Sequence, residues 1–195
     1  MSVKKRVAVL ISGRGTNLQA LLDADQDAYD IALVVSNVPN AEGLDRARAV
    51  NVEAMTLDHK PYGKNREAFE RDLDALLVQR NIDIVALAGF MRVLTPFFVK
   101  AWKGRLLNIH PSLLPKFPGT KTHERALEAG ESEHGCTVHL VVEEVDSGEI
   151  LGQARMPMEA DDTPERLAHR VLALEHSLYP KCLADFAHAL SERRD

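Results

Sequence analysis

Residues 6–22, RVAVLISGRGTNLQALL, decide the architecture. RVAVLI over 6–11 is a continuous apolar run bounded by Ser12-Gly13, the pattern of a strand buried on both faces. Gly13-Arg14-Gly15-Thr16-Asn17 follows, and then Leu18, Leu21 and Leu22 fall at helical spacing. Strand, glycine loop and helix in that order form the unit of an α/β sheet. Such a loop turns backbone N–H groups and a helix N-terminus toward an anion, and Thr16 and Asn17 add side-chain donors. No Gly-Lys-Ser/Thr follows, and no third glycine arrives to complete a dinucleotide fingerprint. The expected ligand is therefore a phosphate monoester; the alternative is a tight turn that binds nothing.

The same alternation continues outward. Residues 31–36 (IALVVS) predict a second buried strand, 41–50 a short helix and 52–57 a third, less regular strand. Asn65 is placed to cap a helix whose apolar stripe is Phe69, Leu73, Leu76 and Leu77. Residues 82–88 (IDIVALA) predict a fourth strand, Thr95-Pro96 starts a helix over 96–102, and Leu106-Leu107 begins a fifth strand. After Gly119 the pattern changes. Residues 122–129 predict a helix, and 136–142 and 150–156 predict two strands with a short connection, an antiparallel hairpin. Asp162-Thr163-Pro164-Glu165 opens a last helix, which Pro180 is expected to kink or divide, and the chain closes on polar SERRD. The expectation is one α/β domain over 1–195: a doubly wound, mainly parallel sheet of about seven strands with a C-terminal antiparallel hairpin and helices on both faces.

Composition narrows the function classes. Hydrophobic residues at 45% and charged residues at 27% fit a soluble globular protein. A formal net charge of −5, with no dense Lys/Arg run, disfavours non-specific nucleic-acid binding. No apolar run approaches a membrane span. Cys136 and Cys182 lie far apart, which argues against a disulfide framework and for a reducing cytoplasm. No H-E-x-x-H or paired-Cys spacing suggests a metal.

The candidate chemistry lies in 105–119, RLLNIHPSLLPKFPG. Residues two apart on a strand share a face, so Asn108 and His110 address one site, and Pro111 ends the ladder. An amide donor beside an imidazole suits stabilising an oxyanion and moving a proton; the alternative is a strand end bonded to backbone. Gly89-Phe90-Met91-Arg92-Val93-Leu94 follows the fourth strand, where open parallel sheets bind ligands. Arg66 sits in the first turn of a helix, where the dipole disfavours a cation. Asp146 before Ser-Gly reads, from its own stretch, as a turn former, and Glu175 as equally a solvated helical residue or a ligand contact.

Asn108-Ile109-His110-Pro111-Ser112-Leu113-Leu114-Pro115 resembles the central signature of the folate-dependent formyltransferases, with a later D-x-G at Asp146. The resemblance extends from Ser12 to about Pro180. It implies that Asn108, His110 and Asp146 are catalytic. SGRGTN is similar to the family's SGxGSN-type loop, which implies that Gly13, Gly15, Thr16, Asn17 and Leu18 hold a substrate phosphoribosyl group. LEHSLYP is similar to the family's closing helix, which adds Glu175. Arg66, Met91, Arg92, Val93, Leu94 and Asn108 are implied to contact the folate. The implied reaction takes a formyl group from 10-formyltetrahydrofolate to the amine of phosphoribosylglycinamide in purine biosynthesis. Both substrates are small molecules, and no metal, nucleic acid or membrane is implied; the chain is expected to act as a monomer or homodimer. Asp146 is expected to favour the charged form of His110. Family members that act on initiator tRNA or on water carry an added domain not seen in this sequence, and SGRGTN favours a phosphorylated acceptor. The alternative from another class is a phosphate-binding module without turnover.

Overall fold

The computed structural model describes residues 4–25 and 27–192, so the last three residues of the polar SERRD end lie outside the described residues. Strands β1 (Lys5–Ile11), β2 (Tyr29–Ser36), β3 (Ala54–Thr56), β4 (Ile84–Leu87), β5 (Leu106–His110), β6 (Glu133–Leu140) and β7 (Ile150–Pro157) make one sheet. Their order is β3-β2-β1-β4-β5-β6-β7. β1 pairs in parallel with β2 and β4, β2 with β3, and β4 with β5. β5-β6 and β6-β7 are antiparallel. The helices are α1 (Thr16–Asp23), α2 (Glu42–Ala49), α3 (Arg66–Gln79), α4 (Pro96–Ala101), α5 (Thr122–Glu128) and α6 (Pro164–Glu192). This is the doubly wound, mainly parallel sheet with a C-terminal antiparallel hairpin that the alternation predicts.

Strand alternation divides the core in two. Val7, Val9 and Ile11 face a layer that includes Leu18, Leu44, Val171 and Tyr179, while Ala8 and Leu10 face Phe69, Leu73, Phe98 and Trp102. The chain runs outward from β1 to β2 and β3, then returns to the other side of β1 as β4. The carboxyl ends of β1 and β4 therefore flank a switch point, the place where open α/β sheets bind ligands. The glycine loop follows β1 there, and residues 89–94 follow β4.

α2 clamps the glycine loop from behind. Gly15 has φ +70, and a Cβ on it would lie 2.7 Å from Gly43 Cα in α2. The Gly43 N–H donates to Gly13 O at 3.1 Å, and Arg46 Nε donates to Arg14 O at 2.8 Å. Only glycine combines that backbone with that approach.

The boundaries of β3 and β6 differ most from the sequence expectation, and Pro180 does not divide the last helix. β3 is confined to three residues. β6 starts at Glu133, because Glu133, His134 and Gly135 continue the ladder opposite Pro157, Met156 and Arg155. α6 runs unbroken through Pro180. Proline removes one helical N–H, but the stripe Val171, Glu175, Tyr179, Cys182, Leu183 and Ala187 stays buried along the sheet. The Tyr179 hydroxyl donates to Leu87 O at 2.9 Å and fixes the helix at the proline. Gly152 in β7 lets α6 approach closely: a Cβ there would meet Cys182 Sγ at 2.6 Å, and that thiol would have to move. Among the described residues no helix is long and apolar enough to cross a membrane.

An imidazole pair joins α5 to β6. His123 Nδ1 lies 3.2 Å from His134 Nε2, and His134 is 1% exposed. Burial first, then the neighbouring His123, pushes His134 down to about 4. The unfolded residue protonates near 6.5 while the folded one stays neutral, so the stabilisation is full above about pH 6.5 and is lost as pH falls toward 4. The loss is on the order of 3 kcal/mol. Urea unfolding at several pH values is expected to show His134→Gln losing less stability across that window than the parent. Equal losses would place the acid sensitivity elsewhere.

Candidate active site

β5 presents Asn108 half-buried and His110 buried. β6 sets Asn108 opposite His139 and His110 opposite Thr137. His139 Nδ1 donates to Leu140 O at 2.9 Å, and its Nε2 lies 3.4 Å from Asn108 Nδ2. The loop 141–149 then brings in Asp146, whose φ of 52 lies in the left-handed region. Asp146 Oδ2 accepts from the Gly119 N–H at 2.8 Å and lies 3.4 Å from His110 Nδ1, while Oδ1 lies 3.6 Å from His139 Nε2. One carboxylate thus bridges two imidazoles and ties loop 141–149 to loop 111–119. The latter folds back so that His110 Nε2 donates to Phe117 O at 3.0 Å. With Nε2 so engaged, Nδ1 is the nitrogen left facing Asp146.

At His110 burial is set against the neighbouring carboxylate. Burial lowers the His110 pKa below its ordinary value, and the charges of His139 and Arg125 act the same way; the Phe117 carbonyl and Asp146 oppose them without prevailing. His110 is therefore neutral at neutral pH: Asp146 favours its charged form, as the sequence reading expects, but desolvation outweighs the carboxylate. Burial works to raise Asp146, but hydrogen bonds from His139 and the Gly119 N–H and the nearby imidazole charges hold it below the usual carboxylate range.

Asn108, His139 and Asp146 form one wall of a cavity of about 160 Å³ whose remaining lining is largely apolar, with Leu87, Phe90, Leu94 and Val141 among it. Arg92 and Val93 also line it, as the sequence reading expects; Met91 and Arg66 do not. Met91 is 80% exposed, and its N–H donates to Ser12 Oγ at 2.8 Å. Arg66 Nη1 donates to Val93 O at 3.2 Å. The α3 surface holds the whole 92–95 segment: the Arg92 guanidinium sits 4.9 Å from the Phe69 ring centroid, and buried Glu70 accepts from the Thr95 N–H at 2.9 Å and from its hydroxyl.

On the other side of the switch point, Asn17 Nδ2 donates to Glu175 Oε2 at 2.7 Å. Asn17 Oδ1 is buried and has no partner among the described residues. Glu175 is buried rather than solvated; burial raises its pKa and the Asn17 bond lowers it. Leu18 is 0% exposed in the core, so its side chain is not the ligand contact the resemblance implies and only its backbone N–H can face an anion. Gly13, Gly15 and Thr16 lie on the clamped loop, where the α1 N-terminus favours negative charge.

His139 and Glu70 escaped the sequence reading. Period-two alternation puts His139 on the same face as Thr137 and Val141, but facing Asn108 requires the β5–β6 register. Glu70 lies beside the apolar stripe of α3 and looks solvated until α4 covers it. Among the described residues no cluster of three His, Cys, Asp or Glu side chains is arranged to hold a metal ion.

A neutral imidazole, an ionised carboxylate and an amide donor around an apolar cavity, beside an anion-facing loop, suit acyl transfer between a flat apolar donor and a phosphorylated acceptor. Compared with known proteins, residues 5–183 match the formyl transferase family. The chain belongs to that family. Within it, the resemblance is to the phosphoribosylglycinamide formyltransferases. The enzyme of that name from Escherichia coli (strain K12) is 45% identical over 184 residues, covering 93% of this chain and 86% of that one. Glycinamide ribonucleotide transformylase 1 from Symbiobacterium toebii superposes with a TM-score of 0.91 at 44% identity, covering 95% of this chain and 89% of that one. The trifunctional purine biosynthetic protein adenosine-3 of Drosophila melanogaster is 48% identical over 186 residues, but this chain spans only 14% of its length.

Proposed function

We propose that the chain transfers a formyl group from 10-formyltetrahydrofolate to the glycinamide amine of 5-phosphoribosylglycinamide, in purine biosynthesis. The observation that carries this reading is the Asp146 carboxylate set between His110 and His139 at the wall of an apolar cavity, with Asn108 alongside. The folate heterocycle occupies the cavity against residues 92–94, and Arg66 and Asn108 complete its contacts. The acceptor phosphate meets Gly13, Gly15, Thr16, Asn17 and the Leu18 N–H, and Glu175 faces the acceptor's ribose or glycinamide. The amine attacks the formyl carbon directly. Asn108 donates to the developing oxyanion. Neutral His110 takes up a proton as the ammonium forms and passes it to the departing folate nitrogen, and Asp146 stabilises the imidazolium in between. The protein acts in the cytoplasm as one domain over 1–195, without a metal.

The test is a spectrophotometric assay of 10-formyl-folate deformylation with and without the acceptor. Acceptor-dependent deformylation supports the transferase. Deformylation without acceptor indicates a hydrolase, and phosphate-ligand binding without turnover a binding module.

Two variants probe the halves of the site separately. Asn17→Ala removes the donor to buried Glu175 and the free amide oxygen, so the acceptor KM is expected to rise by about ten-fold or more, with kcat much less affected. A pure kcat defect in steady-state kinetics would contradict a binding role. Glu70→Ala leaves the Thr95 N–H without its acceptor and loosens residues 92–95. The folate KM is then expected to rise by about ten-fold, while the acceptor KM stays within about two-fold. A lower Tm with both KM values unchanged would make Glu70 merely structural.

A further inference from the structure

A line of hydrogen bonds crosses the carboxyl ends of four neighbouring strands, in the sheet order β3-β2-β1-β4. His59 follows β3, Asn37 follows β2, Ser12 follows β1 and Met91 follows β4. His59 Nδ1 lies 2.8 Å from Asn37 O and 3.2 Å from Asn37 Nδ2, so either neutral tautomer has a partner on Asn37. Ser12 Oγ donates to Asn37 Oδ1 at 2.5 Å and accepts from the Met91 N–H at 2.8 Å. The bond directions are forced: the Met91 amide can only donate, so the Ser12 hydroxyl gives its one hydrogen to Asn37. The Ser12 N–H also donates to Gly89 O at 3.1 Å, so a single residue grips the chain leaving β4 at two points. Asn37 is 2% exposed, and neither it nor Ser12 nor His59 lines the active-site cavity.

We propose that Asn37, acting through the Ser12 hydroxyl, is a positioning residue for the folate: the line fixes the backbone at Met91 and with it the cavity wall that the heterocycle meets. The proposal rests on assigning that cavity to the folate heterocycle. Phe90 and Arg92, the chain neighbours of Met91, both line the cavity, so a shift of the Met91 amide moves the wall on either side of it. Glu70 holds the far end of the same segment at Thr95, and Ser12 holds the near end. Without the Asn37 side chain the Ser12 hydroxyl is free to rotate, and the Met91 N–H loses its fixed acceptor. His59 closes the line at its outer end by holding Asn37. Because each bond has one possible direction between Asn37 and Met91, whatever Asn37 does to the folate must pass through Ser12.

The experiment measures KM and kcat for 10-formyl-folate, and its Kd by equilibrium dialysis, in the parent, Ser12→Ala, Asn37→Ala and the double variant, each beside a thermal melt. Ser12→Ala and Asn37→Ala are each expected to raise the folate KM and Kd by about five-fold, with kcat within about two-fold of the parent. The double variant should match Ser12→Ala alone, because both changes cut one line. Ser12→Thr keeps the hydroxyl and should hold the folate KM within about two-fold of the parent. A merely structural pair would lower Tm and leave the folate KM unmoved, and two independent contacts would multiply to about 25-fold; either result overturns the proposal. If Asn37→Ala does not fold, Ser12→Ala and Ser12→Thr decide, and equal folate KM values in the two overturn it. If the parent binds the folate without transferring its formyl group, the functional reading fails on its own account, and the Kd values decide the positioning role by the same comparisons. A parent that binds no folate overturns both.

Discussion

Asp146→Asn is expected to lower kcat by about 10²–10⁴ and to move the acidic limb of the pH profile to lower pH. The amide oxygen can still accept from the Gly119 N–H, so loop 141–149 keeps its anchor and the fold is preserved. What is lost is the negative charge 3.4 Å from His110 Nδ1. Burial already lowers the His110 pKa, and Asp146 is one of the two groups opposing it. Without that charge the imidazolium is less stable, so His110 protonates only at a still lower pH. Activity that requires neutral His110 before attack then persists further into acid, while turnover falls because the imidazolium formed during attack lacks its counter-charge. The measurement is kcat against pH for parent and variant. A large fall in kcat with an unmoved acidic limb would sink the pairing of Asp146 with His110.

Asn108→Ala is expected to lower kcat by about 10²–10³, or about 3–4 kcal/mol of transition-state stabilisation. The side chain is half-buried in the middle of β5, so its removal makes a small cavity and Tm should fall little. In the proposed mechanism the missing amide N–H is the donor for the oxyanion, and His139 Nε2 loses its neighbour at 3.4 Å. Because the donor matters most when charge develops on the formyl oxygen, kcat should suffer far more than either KM. Steady-state kinetics beside a thermal melt check this. A kcat within about two-fold of the parent would remove Asn108 from the chemistry.

Much of this arrangement is written locally in the chain. RVAVLI followed by a glycine loop and a helical leucine stripe specifies a strand–loop–helix unit, because burial on both faces and a tight anion-facing turn each have a residue signature. NIHP places two polar side chains on one face of a strand and stops the ladder after them. The contacts that complete the site were not legible, because they depend on non-local pairing. His139 faces Asn108 only in the β5–β6 register. Glu70 is buried only once α4 packs on α3, and Glu175 only once Asn17 reaches it across the switch point. Met91 illustrates the converse: its apolar side chain suggested a pocket wall, yet its backbone bond to Ser12 Oγ leaves the side chain exposed. The charge state of His110 is not legible for a related reason, since a sequence shows a neighbouring carboxylate but not the water excluded around the ring.

The bond between the Gly119 N–H and Asp146 gives the site an internal reporter. Solvent can exchange that amide hydrogen only when the two loops part, and they part more readily once Asp146 gains a proton and becomes a weaker acceptor. Exchange at a single backbone position, remote in sequence from the aspartate, therefore tracks the ionisation of the carboxylate that the proposed mechanism sets beside His110, without altering either side chain.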